Sequence, residues 1–94
     1  MNNKPLISIA MTCYNGEKFI KKAIKSIVKQ TYKNWEIVIV DDLSTDNSIK
    51  VINKVIRIYK IDNKVKLLRH RNNHGYGKSL KDAIEKGSGD SCNY

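Results

Sequence analysis

Two cysteines in 94 residues, Cys13 and Cys92, are too few and too far apart for a disulfide framework or a metal-ligand spacing. Free thiols fit a reducing compartment, and a cytoplasmic setting is expected. No apolar run is long enough to span a bilayer, and the amino-terminal run, which stops at Thr12, lacks a signal-peptide cleavage pattern. A membrane helix elsewhere in a longer parent protein is a separate matter. The seven aromatic residues do not interleave with basic ones as base-stacking platforms would, so nucleic acid is not the expected partner. Internal repeats and low-complexity segments are absent. So is the Gly-x-Gly-x-x-Gly fingerprint of dinucleotide folds, which argues against an NAD enzyme. The length allows one small, marginally stable domain.

What is abundant is positive charge. Eighteen Lys and Arg, all but three of them Lys, face nine Asp and Glu, a formal net charge of +9. Such a balance raises nucleic acid, anionic membrane and phosphorylated small molecules as partners. Most of the lysines fall on the outer sides of predicted helices, where a solvated face is the default explanation.

Apolar spacing sets the order of elements. Residues 6–12 form an apolar stretch behind Pro5, read as a buried strand. Tyr14-Asn15-Gly16 is a turn. A helix follows over about residues 17–30, with Ile20, Ala23, Ile24, Ile27 and Val28 on one face. Glu17 would suit the positive end of its dipole. Residues 36–40 make a second strand. A second helix, about 46–59, buries Ile49, Ile52, Val55, Ile56 and Tyr59. A third strand at 65–69 and a third helix at about 78–86 follow, and residues 88–94 are expected to fray. The predicted class is α/β, a β-α-β-α-β-α chain forming a parallel sheet with flanking helices, half of a Rossmann-like domain. The first strand would then lie at an open sheet edge, available for homodimer formation.

Asp41 and Asp42 close the run Ile37-Val38-Ile39-Val40. A strand without polar alternation is buried on both faces, so two adjacent charges at its carboxyl end lie at the rim where open α/β sheets bind ligands. One acidic residue would suffice to start the next helix; two leave one over. Carboxylates there can accept from a base imide or a ribose hydroxyl, or approach a cation. Thr12 and Tyr14 sit at the matching end of the first strand. A phenol can stack on a base and a hydroxyl can bond its edge, although a core cover for Tyr14 and a helix cap for Asn15 are equally good readings. Gly75-Tyr76-Gly77-Lys78-Ser79 fails as a P-loop, because Asn72 stands where the first glycine belongs. Glycine-rich backbone with Lys78 and Arg71 near a helix start could still meet a diphosphate. His70 and His74 are four apart in a loop with no third ligand in view, which is poor zinc geometry.

Taken in order, these segments resemble the opening of family 2 glycosyltransferases, inverting enzymes with the GT-A fold. The resemblance is carried by residues 6–15, by Ser26-Ile27-Val28-Lys29-Gln30-Thr31-Tyr32, by residues 35–42, and by Ser44-Thr45-Asp46 and Ser48. It covers most of the chain, about residues 5–90, and implies a single partial GT-A nucleotide-sugar-binding domain over residues 1–94. It implies a nucleotide-sugar donor, most often a UDP-sugar. Thr12 and Tyr14 match base contacts, Asp42 the aspartate paired with the uracil edge, and Asp41 its neighbour on the ribose side. Arg71 and Lys78 are candidate diphosphate contacts. Asn73-x-Gly75 and Gly87-x-Gly89-Asp90 match the run leading to the family's metal-binding Asp-x-Asp, which would carry a divalent cation, Mg or Mn.

Two departures from the pattern stand out. Leu43 occupies a place usually held by glycine or another small or polar residue. The Asp-x-Asp and the general base are expected beyond Tyr94. Inverting transfer needs a carboxylate to take the acceptor proton and a cation to neutralise the departing diphosphate. The chain alone is therefore expected to be silent, with no catalytic or metal residue assigned in it. The alternative is a non-catalytic binding or self-association module.

Overall fold

Each Ile- and Val-rich stretch forms its expected strand: β1 Ile7–Cys13, β2 Trp35–Asp41 and β3 Val65–Arg69. The structure is a computed structural model that describes residues 5–72, 75–87 and 89–93. The helices are α1 Ile20–Lys29, α2 Ser48–Tyr59 and α3 Tyr76–Lys86. A single 3-10 turn, Asp62–Lys64, leads into β3. All seven residues of β2 are buried, as a central parallel strand requires.

The pleat divides the core in two. Ile9, Met11, Cys13, Ile37 and Ile39 face α1 and α2, meeting Ile20, Ile24, Ile27, Ile52 and Val55. Ala10, Val38 and Val40 face the other way, against Ala83 and Leu80 of α3. Full burial of a side chain such as Ile24, Ile37 or Ile52 contributes about 1.5–3 kcal/mol. The flanking helices on both faces make the expected α/β layering.

The order across the sheet is β3-β2-β1-β4, all parallel. This corrects two expectations. β1 is interior rather than at an open edge, so a homodimer through that edge loses its basis. Residues 90–93 are not frayed: Asp90–Asn93 forms β4 beside β1, pairing Ile7 with Asp90 and Ala10 with Asn93. Ser88 and Tyr94, the other named parts of that tail, lie outside the described residues.

Two glycines let β4 approach. A Cβ on Gly89 would fall 2.1 Å from the Leu6 carbonyl oxygen, and one on Gly87 would fall 2.7 Å from Ser8 Cβ. The Gly89 amide donates to Ser8 Oγ at 2.7 Å, and Ser8 Oγ donates in turn to Glu36. Lys66 pairs with Glu36 at 3.3 Å. A buried polar chain thus fastens the start of β4 across β1 to β2 and β3.

Both early helices begin later than their apolar spacing suggests. Residues 17–19 form a turn in which the Phe19 and Ile20 amides both donate to the Gly16 carbonyl, at 2.9 Å each. Glu17 therefore stands outside the first turn of α1. Conversely, α3 starts two residues early, because Gly75 takes a left-handed φ of 83° and breaks the chain there.

Candidate functional site

Asp41 is the last residue of β2 and follows its alternation, so it points to the α1/α2 side. Its carboxylate is wholly buried. Ser44 donates to it twice, from its amide at 2.8 Å and from its hydroxyl at 2.5 Å. The half-exposed Arg69 stands 3.7 Å away. Asp41 thus closes the turn after β2 from within. This corrects the expected ribose-side role: a fully buried carboxylate with these partners is not presented to a ligand.

Asp42 points to the opposite, α3 side. It is 5% exposed. One oxygen lies 2.8 Å from His70 Nδ1, and the other accepts the Gly75 amide at 2.8 Å. Its own amide donates to the Cys13 carbonyl at 2.8 Å, which sets it beside the end of β1. The cap of α2 belongs to neither aspartate. Asn47 is the N-cap of that helix, without a side-chain cap hydrogen bond. Asp46 just before it accepts the Ser48 amide at 2.9 Å, and against the desolvation that raises it, its hydrogen bonds from Ser48 and Glu17 together hold its carboxyl below the usual range.

The loops after β1 and β2 clamp each other. Asn15 Oδ1 accepts the amides of Thr45 and Asp46 at 2.8 and 3.3 Å, while the Asn15 amide donates to Ser44 Oγ at 2.9 Å. The Gly16 amide donates to Ser48 Oγ at 2.9 Å. Asn15 is therefore a cross-loop bridge rather than a helix cap. Leu43 adopts a φ of 63°, the left-handed conformation a glycine would take without cost. The turn keeps its shape and Leu43 carries the strain.

His70, the first residue after β3, is the centre of the rim. Its Nε2 lies 2.7 Å from Asp82 on α3, so one ring bridges two carboxylates. The buried Ser79 hydroxyl stands 3.5 Å from Nδ1. The Asp42 hydrogen bond, helped by Asp82 and opposed by desolvation, raises the His70 pKa above 6.5. Asp82 is correspondingly lowered by His70 and by Lys78, which pairs with it at 3.2 Å. Lys78 is thus engaged on α3, and Arg71 is exposed in the bend after His70. The structure does not bring the two together by any described contact. Asn73 and His74 lie outside the described residues.

Thr12 is half-buried and Tyr14 is 54% exposed at the end of β1. They line a cleft of about 240 Å³ with Gly16, Phe19, Ile20 and Ala23. Asn93, the end of β4, reaches only Ala10, so β1 projects beyond it. The reversal of strand order between β1 and β4 is where sheets of this kind open a ligand crevice. Burial raises the pKa of the neighbouring Cys13 thiol, which makes it a packing group rather than a nucleophile. Among the described residues no three His, Cys, Asp or Glu side chains assemble to hold a metal ion, and His70 already bridges the Asp42–Asp82 pair.

Sequence reasoning passed over His70 as anything but a poor zinc ligand. The rule that selects Asp42, the first residue beyond a parallel strand, selects His70 at the end of β3 as well. Asp82 could not be found that way, because it depends on how α3 crosses the sheet.

The family model for glycosyl transferase family 2 matches residues 8–94. An uncharacterized glycosyltransferase of Haemophilus influenzae is 41% identical over 88 residues, 94% of this chain and 34% of that protein. WfgD of Escherichia coli, a UDP-Glc:alpha-D-GlcNAc-diphosphoundecaprenol beta-1,3-glucosyltransferase, is 38% identical over 84 residues, covering 89% of this chain and 31% of its own length. Among solved structures, S. aureus TarS 1-349 in complex with UDP superposes with a TM-score of 0.82 at 27% identity, over 94% of this chain and 26% of that one. A mannosyltransferase of Pyrobaculum calidifontis, in complex with GDP-Man and Mn2+, shares the fold with a TM-score of 0.84 at 22% identity, over 94% of this chain and 26% of that one. The chain thus spans about a third of the length of the curated relatives it matches.

Proposed function

This chain belongs to glycosyl transferase family 2, and on that premise we propose that it forms the donor-binding part of an inverting glycosyltransferase. The donor is a nucleotide-diphosphate sugar, by preference a UDP-sugar, and the acceptor a saccharide, lipid or protein. The reading is carried by one observation: Thr12, Tyr14 and Asp42 converge at the carboxyl ends of β1 and β2, beside the strand-order reversal. The UDP complex of TarS and the UDP-glucose in the name of WfgD support uridine as the base.

In this proposal the exposed Tyr14 ring stacks on the base and Thr12 bonds its edge or the ribose. Asp42 accepts the base imide. The His70 and Gly75 contacts hold the Asp42 carboxylate at the rim, and a carboxylate can accept several hydrogen bonds at once. Asp41 acts through Ser44, holding the turn that presents Asp42. Arg71 and Lys78 approach the diphosphate only if Lys78 leaves Asp82. A divalent cation, Mg or Mn, neutralises the leaving diphosphate in such enzymes; no residue of this chain is assigned to hold it or to act as general base. The working compartment is the cytoplasm.

Titration of the isotope-labelled chain with UDP tests the donor site. Thr12, Tyr14 and Asp42 resonances should shift with saturation. No response at about millimolar UDP, which corresponds to roughly 4 kcal/mol of binding, overturns the donor-site reading. The 94-residue chain alone should give no donor-dependent sugar transfer.

A further inference from the structure

The positive charge of this chain is segregated. Lys18, Lys21, Lys22, Lys25 and Lys29 on and just before α1 are all exposed, as are Lys50, Lys54, Arg57 and Lys60 on and just after α2. Neither helix contains an acidic residue. None of these nine cations joins an ion pair among the described residues. Against these nine cations stand Glu17, beside Lys18, and Asp62, beside Arg57 and Lys60, so the face carries +7 of the net +9. A merely solvated face mixes its signs. On the opposite side α3 does so, interspersing Lys78, Lys81 and Lys86 with Asp82 and Glu85 and pairing Lys78 with Asp82.

The two helices lie side by side on one sheet face, sharing one core. The groove between them is walled by Lys18, Lys21 and Lys54, with Glu17 at one end, over an apolar floor of Val51, Val55 and Ile58. Ile58 is 55% exposed.

We propose that the α1/α2 face docks on an anionic bilayer surface, with the lysines at the headgroups and Ile58 entering the interfacial region. Three features favour a bilayer over nucleic acid. The cations are lysines with one arginine; lysine is a compact point charge without the fork that grips single phosphates. One exposed aromatic ring, Phe19 at the start of α1, lies beside them, where base stacking along a strand uses successive rings. The exposed apolar group in the groove suits a surface with a hydrocarbon layer beneath its charge. Docking there leaves the carboxyl-end rim, which belongs to the strand ends, free to work. The inference stands independently of the donor-site reading.

Sedimentation of the chain with vesicles tests it, using phosphatidylcholine with or without about one-third phosphatidylglycerol. Binding should require phosphatidylglycerol and weaken steeply from low to physiological salt. Removing a headgroup-facing lysine costs about fivefold in partitioning, so the triple variant Lys22→Ala/Lys25→Ala/Lys54→Ala should bind about a hundredfold more weakly. Ile58→Ser should weaken vesicle binding while leaving heparin binding unchanged. Circular dichroism checks that both variants remain folded. Absence of binding to anionic vesicles at low salt overturns the proposal, and so does a folded triple variant that binds like the parent. An Ile58→Ser variant with parent-like vesicle affinity, or single-stranded RNA that binds more tightly than the vesicles and displaces them, also overturns it.

Discussion

Replacing His70 tests the rim cluster most directly. The His70 side chain is 13% exposed and Asp42 6%, so their 2.8 Å hydrogen bond is shielded from water. A hydrogen bond to a charged partner in such a place contributes about 1.5–3 kcal/mol, so His70→Ala should destabilise the fold by about 2 kcal/mol. His70→Asn, whose amide can reach Asp42 but carries no charge, should recover part of that loss. The pH dependence gives a second measure with a definite sign. The folded-state pKa of His70 is raised above its ordinary 6.5. Its contribution is then fully present below 6.5 and fades as pH rises through the raised folded value. Asp82 behaves oppositely. Its pKa is lowered from 3.8, so its contribution is present above 3.8 and is lost as pH falls through the lower folded value. Urea unfolding of the parent and His70→Ala should therefore differ most between pH 3.8 and 6.5. The gap should narrow toward alkaline pH. A gap that stays constant or widens as pH rises refutes the bridging imidazolium.

Two further substitutions separate roles that lie next to each other in the chain. Asp41→Asn disturbs a buried acceptor of two Ser44 hydrogen bonds and should cost about 1–3 kcal/mol of stability, seen in chemical denaturation. Asp42→Asn should instead weaken UDP binding about tenfold, the loss of one charged hydrogen bond, measured by calorimetry. At Leu43, whose φ is 63°, a β-branched residue fits worse still. Leu43→Val should lower stability by about 1–2 kcal/mol, whereas Leu43→Gly should not lower it; thermal melts of the two variants read the contrast.

Much of the fold was legible because periodicity carries it. The Ile and Val runs of β1 and β2 and the helical spacing of Ile20, Ile24 and Ile27 can bury themselves in few other ways. β4 was missed for a physical reason. Asp90-Ser91-Cys92-Asn93 has no apolar pattern of its own. It becomes a strand because β1 presents a free edge and Gly87 and Gly89 permit close contact. That is tertiary pairing overriding local propensity, and only the two glycines gave any sign of it.

The aspartate pair illustrates a subtler limit. Its position at a buried strand's end was correct, but adjacency in sequence suggested a shared task. A strand alternates its side chains across the sheet, so neighbours at its end serve different layers. Asp41 falls on the α1/α2 side and is consumed by the Ser44 turn; Asp42 falls on the α3 side and meets His70 and Gly75. The pair was therefore never one site. The same parity extends outward: Thr12 pairs with Val40, and Asp42, the first residue beyond β2, continues the even-numbered class. A nucleoside bound by both would therefore span from the Thr12–Tyr14 cleft beside α1 to Asp42 on the α3 side, where His70 stands. On the donor-site proposal, a ligand that takes up Asp42 competes with its His70 bond, so UDP should narrow the stability gap between the parent and His70→Ala in urea unfolding.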